Sequence, residues 1–242
     1  MSWWKRLWTP APPPDAANRA FDLALERYFA PQVARVLREQ GPAALASTRR
    51  EISVLFGDLV GFTRFSESAS AEECVATLTH YLDELVRVAM QHDGTIDKFM
   101  GDEIMVLFSA PLPQLDHAER ALACARDMQL VIHLLNAERE RRRLPTLGLT
   151  VGVNSGECVI GHVGGEARVQ YSAIGDAVNV AKRLQGLATL GEIVAGERTL
   201  ELANVPPETL EEHSVKGRAA PVRCARLRVT MPGPGGAPPP SA

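Results

Sequence analysis

The order of strand-like and helix-like segments constrains the fold of this chain most strongly. A β-branched apolar run at about 51–57 is followed by a helical pattern at about 71–91 and then by a hairpin pattern at about 94–108. A second helical pattern covers about 117–142, and a strand at 147–153 closes the series. The order β-α-β-β-α-β is that of the ferredoxin-like split βαβ unit. The sequence therefore predicts an α/β (α+β) fold with this core and additional C-terminal strands and a helix.

Two aspartates, Asp58 and Asp102, each follow a strand-like run at a glycine-bearing turn. In the split βαβ arrangement the first strand lies beside the third and antiparallel to it. Asp58 ends the first strand and Asp102 starts the third, so this pairing brings the two carboxylates to one edge of the sheet. Carboxylates that converge repel each other unless a cation lies between them. The alternative is that each aspartate only caps a turn or a helix, as strand-end aspartates often do.

The types of ligand in this region favour a hard cation. Oxygen ligands in small number, with no His or Cys nearby, suit Mg²⁺ or Mn²⁺ bound jointly with substrate phosphates. The turn Gly61-Phe62-Thr63 stands just before the first helix and offers backbone N–H groups to an anion such as a triphosphate. Together with the aspartates, this turn predicts a two-metal phosphoryl-transfer site.

Asn179 and Arg183 lie four residues apart on a predicted helix, so both side chains point to the same side. The Arg183 guanidinium is permanently charged and presents several N–H donors in one plane. Such a group suits phosphoryl oxygens on which negative charge develops. The alternative for this pair is an ordinary solvated helix face. The other predicted site residues decide between the two interpretations.

The composition is that of a protein with one core domain and two tails. The chain has 242 residues, of which 45% are hydrophobic, and a net charge of −3, which gives no electrostatic footprint for nucleic acid. No run approaches the ~20 apolar residues of a membrane span, and the N-terminus lacks the apolar middle region of a signal peptide. We expect a cytoplasmic protein with reduced, mostly buried cysteines: Cys74, Cys124, Cys158 and Cys224.

The sequence divides into four parts. Residues 1–17 form a Trp/Pro-rich segment, 18–47 a helical arm suited to dimerisation, 48–230 the catalytic domain, and 231–242 a Pro/Gly/Ala tail predicted to be disordered. Two interpretations of the first segment remain open. Its tryptophans and cations suit a peripheral membrane contact, or the segment folds against its own or a partner subunit. The tryptophans are Trp3, Trp4 and Trp8.

Four ordered motifs resemble the class III nucleotidyl cyclases, which convert ATP or GTP to the 3′,5′-cyclic nucleotide and pyrophosphate. The resemblance covers roughly residues 48–228. The motifs are Phe56-Gly57-Asp58 with Gly61-Phe62-Thr63, then Lys98-Phe99-Met100-Gly101-Asp102, then the segment from Tyr171 to Leu184, and finally Val215-Lys216-Gly217.

The resemblance implies a role for each site residue and an in-line displacement assisted by two metal ions. Asp58 and Asp102 would hold both metals, together with the carbonyl of Leu59. The base would be bound by Lys98 and Ser172. The remaining roles are ribose orientation by Asn179, stabilisation of the pentavalent phosphorus by Arg183, and contact with the triphosphate by Lys216.

The substrate base follows from hydrogen-bond donors and acceptors. Lys98 can only donate, and adenine N1 accepts, whereas guanine N1 carries a hydrogen. ATP is therefore favoured. Ser172 leaves the question open, because a hydroxyl can accept from adenine N6 or donate to guanine O6.

The resemblance also implies a homodimer with two shared sites. Asp58 and Asp102 would come from one chain, and Lys98, Ser172, Asn179, Arg183 and Lys216 from the other.

Three alternatives to an adenylate cyclase remain: a guanylate cyclase, a diguanylate cyclase-like enzyme, and a non-catalytic nucleotide-binding regulatory module. The diguanylate cyclases share the split βαβ core but lack an Asn/Arg helix of this kind. A regulatory module usually lacks a metal-binding Asp or the Arg, and this chain has the whole set.

Overall fold

A computed structural model of the protein describes residues 31–165, 168–214 and 221–229. The strands are β1 (Thr48–Val60), β2 (Thr95–Met100), β3 (Glu103–Phe108), β4 (Gly148–Gly165), β5 (Arg168–Ile174), β6 (Glu192–Gly196), β7 (Glu211–His213) and β8 (Val222–Arg228). The α-helices are α1 (Pro31–Gln40), α2 (Phe62–Ser66), α3 (Ala71–Gln91), α4 (His117–Arg141), α5 (Asp176–Leu187) and α6 (Glu197–Leu202), and a 3-10 helix covers Pro42–Leu45.

The strands of the described residues form one eight-stranded sheet. Its order is β2-β3-β1-β4-β6-β8-β7, and β5 lies outside this path and pairs with β4. β1 is antiparallel to both β3 and β4, whereas β4 and β6 are parallel. The predicted β-α-β-β-α-β core is confirmed, with the short helix α2 added before α3. The expected additional strands and helix follow the core.

β4 is much longer than the strand predicted at 147–153. It runs from Gly148 to Gly165 because it pairs with β1 along its first part and with β5 along its last part. The second half contains several glycines and little alternation of polar and apolar residues, so its sequence carries a weak strand signal. This extension of β4 holds β5 in the fold.

β1 is buried on both faces of the sheet, and its side chains alternate between two cores. Leu55 and Leu59 join the core formed with α3 and α4. Val54 and Phe56 point to the opposite face, where Ala181 of α5 completes a second core. A strand covered on both faces reads as a continuous apolar run, which explains the pattern at 51–57.

The predicted bounds of α3, 71–91, are confirmed. The start of this helix is fixed by a capping box. The Ser70 hydroxyl accepts a hydrogen bond from the backbone N–H of Glu73 at 3.2 Å. The Glu73 carboxylate accepts one in return from the N–H of Ser70 at 2.9 Å. This capping box satisfies two backbone donors that a helix end otherwise leaves unpaired.

The described part of the predicted helical arm packs on its own domain. Val33 and Val36 of α1 are buried with Leu45. The Gln32 amide donates a hydrogen bond to the carbonyl of Gly94 at 2.9 Å. Residues 18–30 of the arm, the segment 1–17 and the tail 231–242 lie outside the described residues, so their predicted roles stay predictions.

Within the described ranges, no helix is both long enough and apolar enough to cross a membrane.

All four cysteines are free thiols, as expected, and three of them are buried: Cys124, Cys158 and Cys224. Burial raises the pKa of the Cys158 thiol to about 11, so this sulfur stays protonated near neutral pH.

Gly152 of β4 allows α5 to lie directly on the sheet. A Cβ atom at this position would stand 2.1 Å from the backbone nitrogen of Gln185 and 2.5 Å from the carbonyl oxygen of Ala181. Both atoms belong to the helix backbone, which cannot move aside as a side-chain tip can. Glycine at 152 therefore sets the distance between α5 and the sheet.

We expect Gly152→Ala to lower the free energy of unfolding by about 3 kcal/mol or more, because the added methyl group overlaps helix backbone. Thermal or urea unfolding measures this loss. The matched control is Gly186→Ala on α5, where a Cβ would meet nothing within 4 Å. This change should leave stability unchanged or raise it by up to about 0.5 kcal/mol, because alanine is a better helix former than glycine and position 186 lies in the last turn of α5. Equal stability of Gly152→Ala and the parent would contradict the close approach.

Candidate active site

Asp58 and Asp102 lie side by side, as the predicted pairing of the first and third strands requires. Asp58 is near the end of β1, where it stands opposite Glu103 in the register with β3. Asp102 occupies the turn between β2 and β3. The backbone N–H of Leu59 donates a hydrogen bond to the carbonyl of Asp102 at 3.3 Å. Residues far apart in the chain therefore meet at one end of the central strands.

The two carboxylates interact unfavourably when both are charged. The pKa of Asp58 is raised, first because the group is partly buried and second because of the negative charge of Asp102. The ammonium of Lys182 acts in the opposite direction. A divalent cation between the carboxylates would relieve this repulsion, so the donor set fits Mg²⁺ or Mn²⁺. In the described part of the chain, no group of three or more His, Cys, Asp or Glu side chains is arranged to hold a metal.

Glu103 is a neighbour of this pair that the sequence analysis missed. Its side chain is only 7% exposed and forms an ion pair with Lys182 of α5. Burial raises the pKa of Glu103, and the Lys182 ammonium opposes that rise. Lys182 also donates to the side-chain carbonyl of Gln185 at 3.0 Å. The pair therefore joins α5 to the strand that follows Asp102, and only the packing of α5 on the sheet reveals it.

The turn Gly61-Phe62-Thr63 begins the short helix α2 directly after β1. Gly61 has a φ of 95°, a conformation that favours glycine. Its carbonyl accepts the first helical hydrogen bond, from the N–H of Phe65 at 3.0 Å. The N–H groups of Phe62 and Thr63 belong to the first turn, whose donors have no partner within a helix. The predicted anion-binding turn therefore follows Asp58 closely in the structure.

Lys98 and Ser172, the two predicted base-binding residues, are in contact. The Lys98 ammonium donates a hydrogen bond to the Ser172 hydroxyl at 3.3 Å. Lys98 lies on β2 and Ser172 on β5, two strands that do not pair with each other. The Ser172 residue is buried, whereas the Lys98 side chain is 33% exposed. The two residues thus form one polar cluster within a single chain.

Asp97 is the third member of this cluster, and none of the predicted site motifs includes it as a site residue. One carboxylate oxygen, Oδ2, accepts from the Ser172 hydroxyl at 3.0 Å and lies 3.2 Å from the Lys98 nitrogen. The side chain is fully buried, and burial raises its pKa, while Ser172 and Lys98 oppose the rise. Two consecutive charges inside a strand are the signal that could have identified it.

Asn179 and Arg183 lie one turn apart on α5, away from the helix face that packs on the sheet. Asn179 is exposed and Arg183 is half-buried. The packed face of the same helix consists of Ala177, Val180, Ala181, Leu184 and Gln185. The pair therefore points outward, where a second molecule could be reached. Lys216, the last predicted site residue, lies outside the described residues.

A model of the family described as "Adenylate and Guanylate cyclase catalytic domain" matches residues 45–227. The chain belongs to this family. The class III cyclase fold that the motifs predicted is confirmed by solved structures. The crystal structure of the guanylyl cyclase Cya2 has a TM-score of 0.71 and 39% sequence identity, covering 77% of this chain and 96% of that one. The adenylyl cyclase CyaB from P. aeruginosa has a TM-score of 0.70 and 31% identity, covering 77% and 98%.

Curated relatives of this cyclase domain include two named adenylate cyclases. Adenylate cyclase 1 of Rhizobium meliloti (strain 1021) is 37% identical over 175 residues, covering 71% of this chain and 26% of that protein. The adenylate cyclase of Anabaena cylindrica is 34% identical over 172 residues, covering 68% and 33%. The chain spans about a third or less of the length of these two relatives.

We expect the Glu103–Lys182 pair to stabilise the cyclase domain. Lys182→Met should lower the free energy of unfolding by about 1–2 kcal/mol, because it leaves a buried carboxylate without its counter-charge. The loss should be at the low end for a buried pair, because the Lys182 side chain is 47% exposed. Combining Lys182→Met with Glu103→Gln should recover most of it, which a double-mutant cycle in urea measures.

The matched control for this cycle is the exposed pair Arg49–Glu157, whose side chains are 70% and 68% exposed. Its coupling energy should stay below about 0.5 kcal/mol. A Glu103–Lys182 coupling no larger than that of the control would show that the pair does not stabilise the domain.

Proposed function

We propose that this domain is an adenylate cyclase that converts ATP to 3′,5′-cyclic AMP and pyrophosphate. The observation that carries the proposal is the juxtaposition of Asp58 and Asp102 in a member of the cyclase family. The two carboxylates repel each other, and bound divalent cations would offset this repulsion. A non-catalytic module is disfavoured because Asn179 and Arg183 are present as well.

Asp58, Asp102 and the Leu59 carbonyl are the residues that would hold two Mg²⁺ or Mn²⁺ ions. Bound divalent ions acidify a hydroxyl such as the ribose 3′-OH and offset negative charge on phosphate groups. The N–H groups of the Gly61-Phe62-Thr63 turn would donate hydrogen bonds to phosphate oxygens beside these carboxylates.

The outward-facing residues of α5 would act on the reacting groups. The Asn179 amide would hydrogen-bond the ribose and hold its 3′-hydroxyl in line with the α-phosphorus. The Arg183 guanidinium would donate to the oxygens on which charge develops. Lys216 would bind the triphosphate as a point charge. In this mechanism no protein side chain forms a covalent intermediate.

Lys98 favours ATP as the substrate, because its ammonium can donate to adenine N1 but would face the N1–H donor of guanine. The curated relatives named above are adenylate cyclases. Guanylate cyclase is the second candidate, because the solved structure with 39% identity is a guanylyl cyclase. The identity of the cyclic product decides between the two.

A homodimer with two shared sites is the assembly that we infer. Large apolar side chains are exposed on β2, where Phe99 is 47% exposed, and on the β4–β5 ribbon. Val159 and Ile174 stand directly opposite each other there and are 42% and 58% exposed. An exposed apolar pair of this kind is typical of a surface that a partner covers. A second copy of the chain would also bring the outward face of α5 to the carboxylates of its partner.

The other inferences about partners and location remain predictions. They are the absence of nucleic acid binding, a cytoplasmic location, and contact of Trp3, Trp4 and Trp8 with a membrane or a subunit.

We expect Asp58→Ala and Asp102→Ala each to lower cyclic nucleotide formation by about 100-fold or more, because each removes a predicted metal ligand. The assay incubates the purified chain with Mn²⁺ and ATP or GTP and identifies the product. Asp83→Ala, which removes an exposed carboxylate of α3, is the control and should leave turnover unchanged. Near-normal activity of either site variant, with unchanged thermal unfolding, would refute the metal assignment. Formation of cyclic di-GMP would refute the proposed reaction.

We expect a mixture of Asp58→Ala and Asn179→Ala chains to regain activity. A mixed dimer has one site free of both changes and one site that carries both. If subunits exchange at random in an equal mixture, activity should reach about a quarter of the parent value.

The control for this mixture is Asp58→Ala with Asp102→Ala. Both residues belong to the same half of the shared site, so every site of a mixed dimer carries one change and the mixture should stay inactive. Recovery in this control, or none in the first mixture despite measured subunit exchange, would refute the shared-site arrangement.

A further inference from the structure

A β-bulge in β2 places Asp97 and Lys98 on the same side. In the register with β3, Ile96 stands opposite Val106 and Lys98 opposite Met105, so Asp97 is the extra residue. Consecutive side chains of a regular strand point to opposite faces of the sheet. A bulge re-aims one of them. As a result, Asp97 and Lys98 both contact Ser172.

The Ser172 hydroxyl has one hydrogen, and its hydrogen bond to Asp97 already uses it. The hydroxyl donates to Oδ2 of Asp97 at 3.0 Å and accepts from the Lys98 nitrogen at 3.3 Å. A serine hydroxyl has one hydrogen and two lone pairs. One lone pair therefore remains, so Ser172 can offer a ligand an acceptor but no donor.

Loss of the hydrogen bond from Ser172 would be energetically costly for the buried Asp97 carboxylate. Its side chain has no exposed surface, and its second oxygen, Oδ1, is buried without a hydrogen-bond partner among the described residues. If Ser172 turned its hydrogen elsewhere, the buried carboxylate would keep only the contact with Lys98. Hydrogen bonds to a carboxylate are about twice as strong as those between neutral groups, and leaving one unmade inside a protein is costly.

We propose that Asp97 fixes Ser172 as a hydrogen-bond acceptor toward the base and thereby selects ATP over GTP. The inference rests on the proposed adenylate cyclase function and identifies a residue that determines its specificity. Adenine presents a donor at N6 and an acceptor at N1, whereas guanine presents an acceptor at O6 and a donor at N1. Ser172 as an acceptor and Lys98 as a donor match adenine at both positions and oppose guanine at both.

Asp97 is thus a positioning residue, because it acts on the base through Ser172. The hydroxyl of Ser172 alone is compatible with either base, and the carboxylate removes that ambiguity. The same carboxylate lies 3.2 Å from the Lys98 nitrogen and so holds the donor for N1 in the same cluster.

The test is Asp97→Asn, which keeps the shape of the side chain, removes its charge and supplies an amide donor to Ser172. The Ser172 hydrogen is then free to point at guanine O6. We expect the ratio of kcat/KM for ATP to that for GTP to fall by about 10-fold or more. Gln170→Ala is the matched control, because the Gln170 amide contacts only the backbone carbonyl of Asp97, at 3.4 Å. This control should keep the parent ratio.

A second substrate pair separates positioning from a general loss of structure. Purine riboside triphosphate lacks the 6-amino group but keeps the N1 acceptor. The parent should prefer ATP over this analogue by about 10-fold, and Asp97→Asn and Ser172→Ala should each abolish that preference. A merely structural defect would lower kcat/KM for both substrates equally and leave the ratio at the parent value. If Asp97→Asn does not fold, the smaller Asp97→Ser variant carries the same test.

The outcomes separate this inference from the proposed function. A parent enzyme that uses GTP better than ATP would refute both. A parent that prefers ATP, with folded Asp97 variants that keep the parent ratios for both substrate pairs, would refute the role of Asp97 and leave the adenylate cyclase proposal intact.

Discussion

The pairing of β1 with β3 on one side and β4 on the other is the constraint on which the rest of the structure depends. β1 is buried on both faces, so its apolar side chains pack against α3 and α4 on one face and against α5 on the other. Its register places Asp58 opposite Glu103 on one neighbour and opposite Thr150 on the other. A slip by one residue would exchange the faces of every side chain, so burial on both sides fixes the position of Asp58.

The helix that carries Asn179 and Arg183 is tied to the same region by close packing and by polar contacts. The absence of a side chain at Gly152 brings α5 onto β4. The Gln185 amide then donates to the Thr150 hydroxyl at 2.8 Å, and that hydroxyl lies 3.4 Å from the Asp58 carbonyl oxygen. In the proposed dimer, α5 and Asp58 of one chain would belong to different sites. In that dimer, these contacts would connect the two sites through the interior of each subunit.

The sequence was sufficient for the features that depend on local patterns. Apolar spacing predicts a helix at 71–91, and the structure has a helix with these bounds, whose start is fixed by a capping box. The meeting of Asp58 and Asp102 followed from strand order alone. The contact of Asp97 with Ser172 could not be predicted, because it needs both a bulge and the position of a strand far along the chain. The Glu103–Lys182 pair likewise depends on how α5 rests on the sheet.

The residues proposed to bind the base join β2 to β5, and each of these strands has a single neighbour among the described strands. The carboxylates, by contrast, sit beside the central strand and the main core. A change in the pairing of β2 or β5 affects one neighbouring strand, whereas a change in β1 affects both cores at once. In the proposed enzyme, the residues that choose the base therefore lie on different strands from the residues that would hold the metals. A change of base would leave the carboxylates beside β1 in place, which agrees with the presence of a guanylyl and an adenylyl cyclase among the solved structures of this fold.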